Sequence, residues 1–396
     1  MTTNTLPELP VRHLRNAGIA EFIGLLQLQQ RHKIDVVVPA SSIRMENGNL
    51  SVSGLEPIIT DDGVTSIDGS YWTASRVDHN LKALFDVPTP YIRKMRAQAI
   101  PLLDDTINTW ARQSDPDKKV LLRLMYGMDE TNPDTVGMVR AILSDRYNER
   151  DNLDTALAVL DGMREAGLGA DNIRGADLTE DKMYLRVVAP ELAVNAPVLL
   201  DGYRSPFAGT AHGGEAAENP YVVYAGILVK NSETGGGALT VTPELRIKIC
   251  DNGLVINADA LRKVHLGGQL PEGQVRWSTE TRDAANALTK QQVKDAVSSF
   301  LTVDYVAGAV AKLEETAVVP LADPQATITV VAQKLQYSQE EQAGILNHFV
   351  RGGQVTAGGL MQATTSFAQE IEDVDRANDL AATGVEAMML AAAYAS

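Results

Sequence analysis

The sequence has little cysteine and few aromatic residues. Cys250 is the single cysteine among 396 residues, which excludes an intramolecular disulfide and a zinc site made of cysteines. This usage is typical of a reducing cytoplasm. No apolar run approaches the roughly 18–20 residues of a membrane span, and the N-terminal segment lacks the apolar core of a signal peptide. We therefore expect a cytoplasmic protein that has no contact with a membrane.

Basic residues are scarce in the last quarter of the chain. The formal net charge is −16. Residues 301–396 carry 4 Lys and Arg against 12 Asp and Glu, and this balance of −8 is half of the whole excess. Residues 1–150 are close to neutral, with 17 basic residues against 19 acidic ones. A nucleic-acid backbone would be repelled by the C-terminal quarter, but it could meet a local basic patch nearer the N-terminus.

Catalytic motifs are missing as well. None of the six histidines has the spacing of a zinc hydrolase, and no Gly-x-Ser-x-Gly motif provides an acyl-transfer nucleophile. The stretch VKNSETGGGALTV has three consecutive glycines, as a phosphate-binding loop does. Such a loop needs a helix after it, whereas the residues that follow alternate like a β-strand. Residues 231–237 are therefore predicted to connect two antiparallel strands.

Two weaker candidates for metal chemistry remain. His212 lies in a glycine-rich segment with Glu215 and Glu218 nearby. The acidic group QEIEDVD, with Asp373 and Asp375, could place two carboxylates on one helix face for a pair of metal ions. A solvated histidine and a solvated or partner-binding helix face are the simpler interpretations. We therefore expect no catalytic residue, no metal ligand and no cofactor, and a protein that is not an enzyme.

Strand and helix signals divide the chain into regions. The middle is rich in β-branched and apolar runs such as KVLLRLMYG and YVVYAGILVKN. Amphipathic helices follow, with capping boxes predicted at Thr289 with Gln292 and at Ser338 with Glu341. We expect an α+β fold, with a mostly antiparallel central sheet built from about residues 120–260, helices on one face, and a helical C-terminal region. The predicted segments are a mixed region with a helix-turn-helix-like pair at 1–118, the sheet core at 119–287 and acidic helices at 288–396.

Three stretches carry residue types that are suited to nucleic-acid recognition. LKALFDVPTPYIRKMRA has the length and the break of a helix-turn-helix whose second helix is basic. LSDRYNERDN and YRSPF place arginine and tyrosine in polar loops, where they could hold phosphate and stack on a base. The predicted contacts are Arg93, Lys94, Arg96, Arg146, Tyr147, Arg150 and Arg204. The structural alternatives are a plain surface helix pair and local ion pairs with Asp145, Glu149 and Asp151.

The region around the glycines also resembles a known family. In YAGILVKNSETGGGALTVTPELRIKICDNGLV, a strand ends in Asn231-Ser232, a short glycine loop follows, and a second strand ends at Cys250 before Asn252. This arrangement resembles the domain-of-unknown-function 932 family of phage and plasmid proteins. VRAILSDRYNERDNLDTALAVL and LKALFDVPTPYIRKM are similar to upstream segments of that family, so the resemblance covers about residues 70–380. It implies a mobile-element protein in the host-cell cytoplasm and implies no activity.

Two functional hypotheses follow. The first is a non-enzymatic protein of a phage or plasmid that binds or anneals single-stranded DNA as a homo-oligomer and tracks the backbone with Arg146, Arg150 and Arg204. Its acidic C-terminal region would then contact a protein partner. The second is a phage protein-binding or structural factor, for host takeover or counter-defence, that never touches DNA, and the net charge of −16 favours it. A metal-dependent enzyme that uses the acidic clusters is a third alternative.

Overall fold

The computed structural model describes residues 6–11, 13–60, 63–147, 150–207, 221–248, 253–256, 261–263, 272–274 and 279–395. Its strands are β1 (Leu14–Ala17), β2 (Lys33–Pro39), β3 (Met45–Glu46), β4 (Asn49–Val52), β5 (Ile58–Thr60), β6 (Gly63–Thr65), β7 (Gly69–Thr73), β8 (Lys119–Tyr126), β9 (Gly137–Ser144), β10 (Ile173–Leu178), β11 (Met183–Asn195), β12 (Val222–Asn231), β13 (Leu239–Ile247), β14 (Gly253–Val255), β15 (Leu261–Lys263) and β16 (Gly273–Gln274).

The helices are α1 (Ile19–His32), α2 (Ser75–Phe85), α3 (Thr89–Gln98), α4 (Ile100–Arg112), α5 (Asn152–Glu165), α6 (Pro197–Leu200), α7 (Thr279–Phe300), α8 (Val303–Ala317), α9 (Pro324–Lys334), α10 (Gln339–Gly352), α11 (Ala357–Ala368), α12 (Val374–Ala381) and α13 (Gly384–Ala395). The predicted α+β class, with a mostly antiparallel sheet and a helical C-terminal region, is confirmed.

The first sheet orders its strands β16-β2-β8-β9-β7-β4-β3, and its pairs are antiparallel except for β7 with β9. Apolar side chains such as Val36 and Leu122 pack from one face against α2, α3 and α4. Because side chains alternate along a strand, Asp35 and Arg123 lie on the opposite face. The predicted boundary near residue 118 therefore falls inside this sheet, since β8 pairs with β2 along its whole length.

The second sheet orders its strands β1-β10-β11-β12-β13-β14, with β15 also paired to β13. Apolar side chains such as Val187 and Val229 pack from one face into the main core with α1, α5, α7 and α8. The opposite face carries charged residues and is partly covered by α12. The strands between residues 119 and 260 are thus divided between two sheets instead of forming the single sheet that was expected. The physical reason is that alternation identifies a strand but not its partner.

Two capping boxes were predicted at the starts of C-terminal helices, and the structure contains one of them. The predicted capping box of α10 is confirmed, because the Ser338 hydroxyl accepts from the Glu341 N–H at 3.1 Å and the Glu341 carboxylate accepts from the Ser338 N–H at 2.7 Å. The box predicted at Thr289 is wrong, because α7 already begins at Thr279. The Thr289 hydroxyl instead donates to the Ala285 carbonyl inside the helix, at 3.1 Å.

Within the described ranges, no single helix has both the length and the apolarity of a membrane span; α7 and α8 satisfy both criteria only as a pair bent by 65°.

Candidate nucleic-acid interface

The glycine-containing stretch that connects β12 and β13 lies inside the protein. The two strands are antiparallel, which confirms the predicted connection. Its polar residues are nevertheless buried, with exposed fractions of 0% for Asn231, Ser232 and Thr234 and 4% for Glu233. A buried polar group is costly unless it is hydrogen-bonded. The partners of these residues therefore decide what the stretch does.

Glu233 joins a buried ionic network on the charged face of the first sheet. The network consists of Lys33, Asp35, Arg123, Arg140, Asp151 and Glu233. Arg123 holds Asp35 through two bonds of 3.0 and 3.1 Å, donates to the Glu233 carbonyl at 3.0 Å, and lies 3.2 Å from the Asp151 carboxylate. Three cations and three anions thus balance in a region where none of these side chains exceeds 11% exposure.

Ser232 and Thr234 join a second group of contacts around Asp181. The Thr234 hydroxyl donates to the Asp181 carboxylate. The same carboxylate accepts a hydrogen bond of 2.8 Å from Nε of Arg76, which lies in α2. A Cβ at Gly236 would overlap the same carboxylate, so the glycine permits this close approach. The connection thereby ties α2 to the turn between β10 and β11.

Buried polar residues also hold Tyr147, Arg150 and Asp151, which lie between β9 and α5 close to Arg146, a predicted nucleic-acid contact. The Tyr147 hydroxyl donates to the Ser232 carbonyl at 3.0 Å, and the Asn231 amide donates to the Arg150 carbonyl at 3.1 Å. Asp151 pairs with Lys33 at the end of the segment. Arg146 is exposed at the start of a segment that is anchored at three points.

Arg146 lines a groove of about 460 Å³ between α2 and the neighbouring ends of β8 and β9. The groove exists because β7 pairs only with the first three residues of β9. Beyond them, Asn80 of α2 accepts from the Ile142 N–H at 3.1 Å. Lys118 and Lys119 line the same groove.

Among its described lining residues, the groove has one more cation than carboxylates. Lys118, Lys119 and Arg146 face Asp117 and Asp145. Lys118 is exposed and donates to the Leu84 carbonyl at 2.9 Å. The Lys119 ammonium lies 3.3 Å from the exposed Glu272 carboxylate. Exposed ion pairs are weak. Lys119 can therefore exchange the Glu272 carboxylate for another anion.

Other predicted contact residues are engaged within the protein. Arg150 is 6% exposed and donates to the Thr289 hydroxyl, so its guanidinium is turned away from any phosphate. The Tyr147 ring is half-buried and packs against apolar side chains of the first sheet, and its hydroxyl is engaged by the Ser232 carbonyl. Arg96 is half-buried and pairs with Asp78 at 2.8 Å.

The remaining predicted residues are exposed at other places. The predicted helix pair is present as α2 and α3, joined by three residues. Arg93 and Lys94 lie on the exposed side of α3, and Arg93 contacts His79 of α2 at 3.0 Å. Arg204 is exposed after α6, where its backbone N–H donates to the Gly352 carbonyl at 2.9 Å. Neither Arg93, Lys94 nor Arg204 lines the groove that holds Arg146.

The acidic residues near α12 do not form a joint site, because Asp373 and Asp375 bind different partners within the protein. Asp373 caps α12, since its carboxylate accepts from the Arg376 N–H at 2.9 Å. Asp375 accepts from the Tyr184 and Thr179 hydroxyls. Across the described part of the chain, no three His, Cys, Asp or Glu side chains are grouped to hold a metal ion. His212 and Cys250 lie outside the described residues.

The pKa of Asp151 reflects its place in the network. Burial alone would raise this pKa, but the charges of Lys33 and Arg123 outweigh burial and hold it below its usual range. The pKa values of Asp177 and Asp181 are also lowered, because arginine partners outweigh burial in the same way. All three carboxyl groups are therefore ionised at neutral pH.

Acid is expected to destabilise the protein through these groups. A carboxyl whose folded pKa is lowered contributes stability above its unfolded pKa of about 3.9, and that stability is lost as the pH falls toward the folded value. Thermal unfolding between pH 7 and pH 3 should show melting temperatures that fall below about pH 4. The Asp151→Asn variant should have a lower melting temperature at pH 7, and its melting temperature should vary less with pH. A wild-type melting temperature that stays constant down to pH 3 would contradict this assignment.

Sequence reasoning missed Lys118, Lys119 and the whole ionic network. The runs KIDVVVP and KVLLRLMY each begin with a lysine and contain one further charge among apolar residues, Asp35 in one and Arg123 in the other. Charges are rarely buried unless they are paired, so opposite charges in two apolar strands indicate a buried pair. This signal was present in the sequence.

Comparisons of the chain with protein-family models, with curated proteins and with solved structures give no match. The resemblance to phage and plasmid proteins therefore stays a prediction.

Proposed function

We propose that the protein binds single-stranded nucleic acid through the groove between α2 and the ends of β8 and β9, as a non-enzymatic factor of a phage or plasmid. The observation that carries the proposal is the position of Arg146. It is exposed at the groove, directly before Tyr147, whose hydroxyl donates to the Ser232 carbonyl. Because the neighbouring residue is held, less backbone entropy is lost when Arg146 binds phosphate.

Local charge supports the proposal against the unfavourable net charge. A chain of −16 attracts a polyanion only where cations are concentrated. Lys118, Lys119 and Arg146 line the groove beside Asp117 and Asp145, so the described lining has one cation in excess, and the pair of Lys119 with Glu272 is exposed and weak. Phosphate contacts carry no base preference, so the groove suits binding without sequence specificity. Binding by several copies along one strand is part of the proposal.

Substitution of Arg146 tests the proposal. We expect Arg146→Ala to weaken binding of a labelled single-stranded oligonucleotide roughly three- to fivefold at low salt, because one phosphate contact is lost. Lys118→Ala, Lys119→Ala and Arg146→Ala combined should weaken it about a hundredfold. Fluorescence anisotropy measures both.

The control is Arg164→Ala, which removes an exposed arginine of α5 that does not line the groove. This variant should bind like the wild type, since it keeps all three groove cations. Equal affinity of the triple variant and the Arg164 variant would refute the assignment of the groove.

The second candidate, a protein-binding factor that does not contact DNA, is favoured by the hairpin β5–β6. Ile59 and Val64 face each other across its strands and are 88% and 77% exposed. An exposed apolar pair of this kind is typical of a contact with another protein. If no oligonucleotide binds at low salt, Ile59→Ser with Val64→Ser becomes the informative variant for partner searches.

A further inference from the structure

A second concave site lies on the charged face of the second sheet, and it shares no lining residue with the Arg146 groove. The cavity measures about 590 Å³ and is closed on one side by α12 and the end of α11. Small-molecule sites are typically cavities of about 300–1,000 Å³. The space is therefore large enough for a ligand the size of a nucleotide.

Strand register places two of the arginines on this face directly opposite glycines. Directly paired residues of antiparallel strands lie on the same face of a sheet. Gly175 pairs with Arg186, and Gly253 pairs with Arg246. Each arginine thus has a neighbour without a side chain. The Glu244 carboxylate, which lies next to Arg246, occupies the space over Gly253, and the Asn16 backbone lies against Gly175.

The cavity is cationic in a protein that is strongly acidic. Among the described residues, four arginines line it, Arg15, Arg174, Arg186 and Arg246, together with the carboxylates of Asp177 and Glu244. Arg186 pairs with Asp177 at 2.7 Å, and Arg246 lies 3.4 Å from Glu244. Within this described lining the arginines outnumber the carboxylates by two. A cavity with low-dielectric walls concentrates the field of such an excess.

The Arg15 side chain is held by two backbone carbonyl groups. Its guanidinium donates to the Ile371 carbonyl at 2.6 Å and to the Gln369 carbonyl at 2.8 Å. These bonds orient the group without cancelling its charge. Guanidinium groups bind phosphate through paired, charge-assisted hydrogen bonds, so oriented arginines around a cavity suit a phosphate ligand.

Part of the remaining lining is apolar, beside the polar residues Asn16, Thr365, Gln369 and Asn378. Leu228 and Val255 of the sheet and Val374 and Ala377 of α12 contribute to the wall. An apolar wall beside a cationic one matches a ligand with a flat, weakly polar portion and a phosphate. We propose that this cavity binds a 5′-phosphorylated nucleotide unit, with its phosphate at the arginines and its base against the apolar wall.

Ligand binding would also strengthen the attachment of α12, because that helix forms part of the wall. The helix is held on the sheet by polar contacts: the Tyr184 hydroxyl donates to Asp375 at 2.9 Å, and the Asn378 amide donates to Asp177 at 3.3 Å. Arg186 also donates to the Asn378 side chain. A bound ligand would add contacts to both α12 and the sheet. Backbone amides of α12 should then exchange more slowly with solvent.

The test is calorimetric titration of the full-length protein with adenosine 5′-monophosphate, with adenosine and inorganic phosphate as comparison ligands. We expect the monophosphate to bind at least about tenfold more tightly than adenosine, because adenosine lacks the group that the arginines hold. Arg15→Gln with Arg174→Gln should weaken monophosphate binding at least about tenfold. Both side chains are exposed, so this variant should fold like the wild type, which a circular dichroism melt checks.

Two controls separate this site from the groove. Arg164→Gln, on the exposed side of α5, should bind the monophosphate like the wild type. Arg146→Ala should also bind it normally, so a failure of nucleic-acid binding at the groove leaves this site unaffected. Hydrogen exchange with and without the monophosphate should show protection of α12.

Competition identifies the natural source of the ligand. Displacement of the monophosphate by a 5′-phosphorylated oligonucleotide, and not by its 5′-hydroxyl form, supports the end of a strand as the ligand. Failure of both oligonucleotides to displace it supports a free nucleotide. No heat and no thermal shift with millimolar adenosine 5′-monophosphate would overturn the proposal, as would unchanged binding in the double arginine variant or protection that excludes α12.

Discussion

Replacing Arg123 by methionine is expected to destabilise the protein by about 3–5 kcal/mol, because breaking a buried ion pair leaves its partners uncompensated. Arg123 is 0% exposed and contacts Asp35, Asp151 and the Glu233 carbonyl. Without it, three carboxylates would share two remaining cations. Urea unfolding measures the loss in the free energy of unfolding.

The matched control is Arg164→Met, which makes the same change at an arginine that is 76% exposed. Its ion pair with Asp161 is a surface pair, so we expect a change of at most about 0.5 kcal/mol. Adding Asp35→Leu to Arg123→Met should recover part of the loss, because one uncompensated carboxylate is removed as well. A cost for Arg123→Met as small as that of the control would show that the buried network does not contribute to stability through Arg123.

Replacing Gly137 by alanine is expected to cost about 3 kcal/mol, near the upper end for overpacking. The added Cβ would overlap the Met125 carbonyl oxygen and would lie 2.8 Å from the Tyr126 Cα and from the Tyr71 ring. Gly137 sits between β8 and β7 at the start of β9, where backbone atoms on the neighbouring strand cannot move aside. Thermal or urea unfolding gives the loss.

Gly24→Ala is the control for this substitution. Gly24 lies in α1, and a Cβ there meets nothing within 4 Å. Alanine favours a helix over glycine by about 0.5–1 kcal/mol, so this variant should be slightly more stable than the wild type. If both alanine variants were equally stable, the tight packing at the start of β9 would be refuted.

Local chemistry made part of the fold predictable. The capping box at Ser338 and Glu341 needs only two residues three positions apart, and the structure contains it. The antiparallel connection at residues 231–237 was predictable because apolar alternation resumes directly after the glycines. Thr289 carried the same local signal as Ser338, yet α7 extends ten residues further back. Residues 279–288 are also helical, and no local sequence rule excludes a helix that starts before a capping box.

The burial of the candidate site residues could not be predicted, because it depends on contacts between distant parts of the chain. The polar residues 231–234 are typical of a solvated turn, and they are buried because Arg123, Arg140 and Asp181 satisfy them from distant parts of the chain. The exposure of an arginine depends on the same kind of contact. Arg146 and Arg150 are four residues apart, but Arg150 points to α7 and Arg146 points to solvent. Composition could not separate these two residues.

The salt dependence of binding to a single-stranded oligonucleotide tests the central claim most directly. The wild-type protein would be titrated into a labelled oligonucleotide by fluorescence anisotropy at several salt concentrations. Three phosphate contacts, through Lys118, Lys119 and Arg146, predict that the logarithm of the binding constant falls against the logarithm of salt with a slope of about −2. No binding at low salt, or an affinity that does not change with salt, would contradict the account.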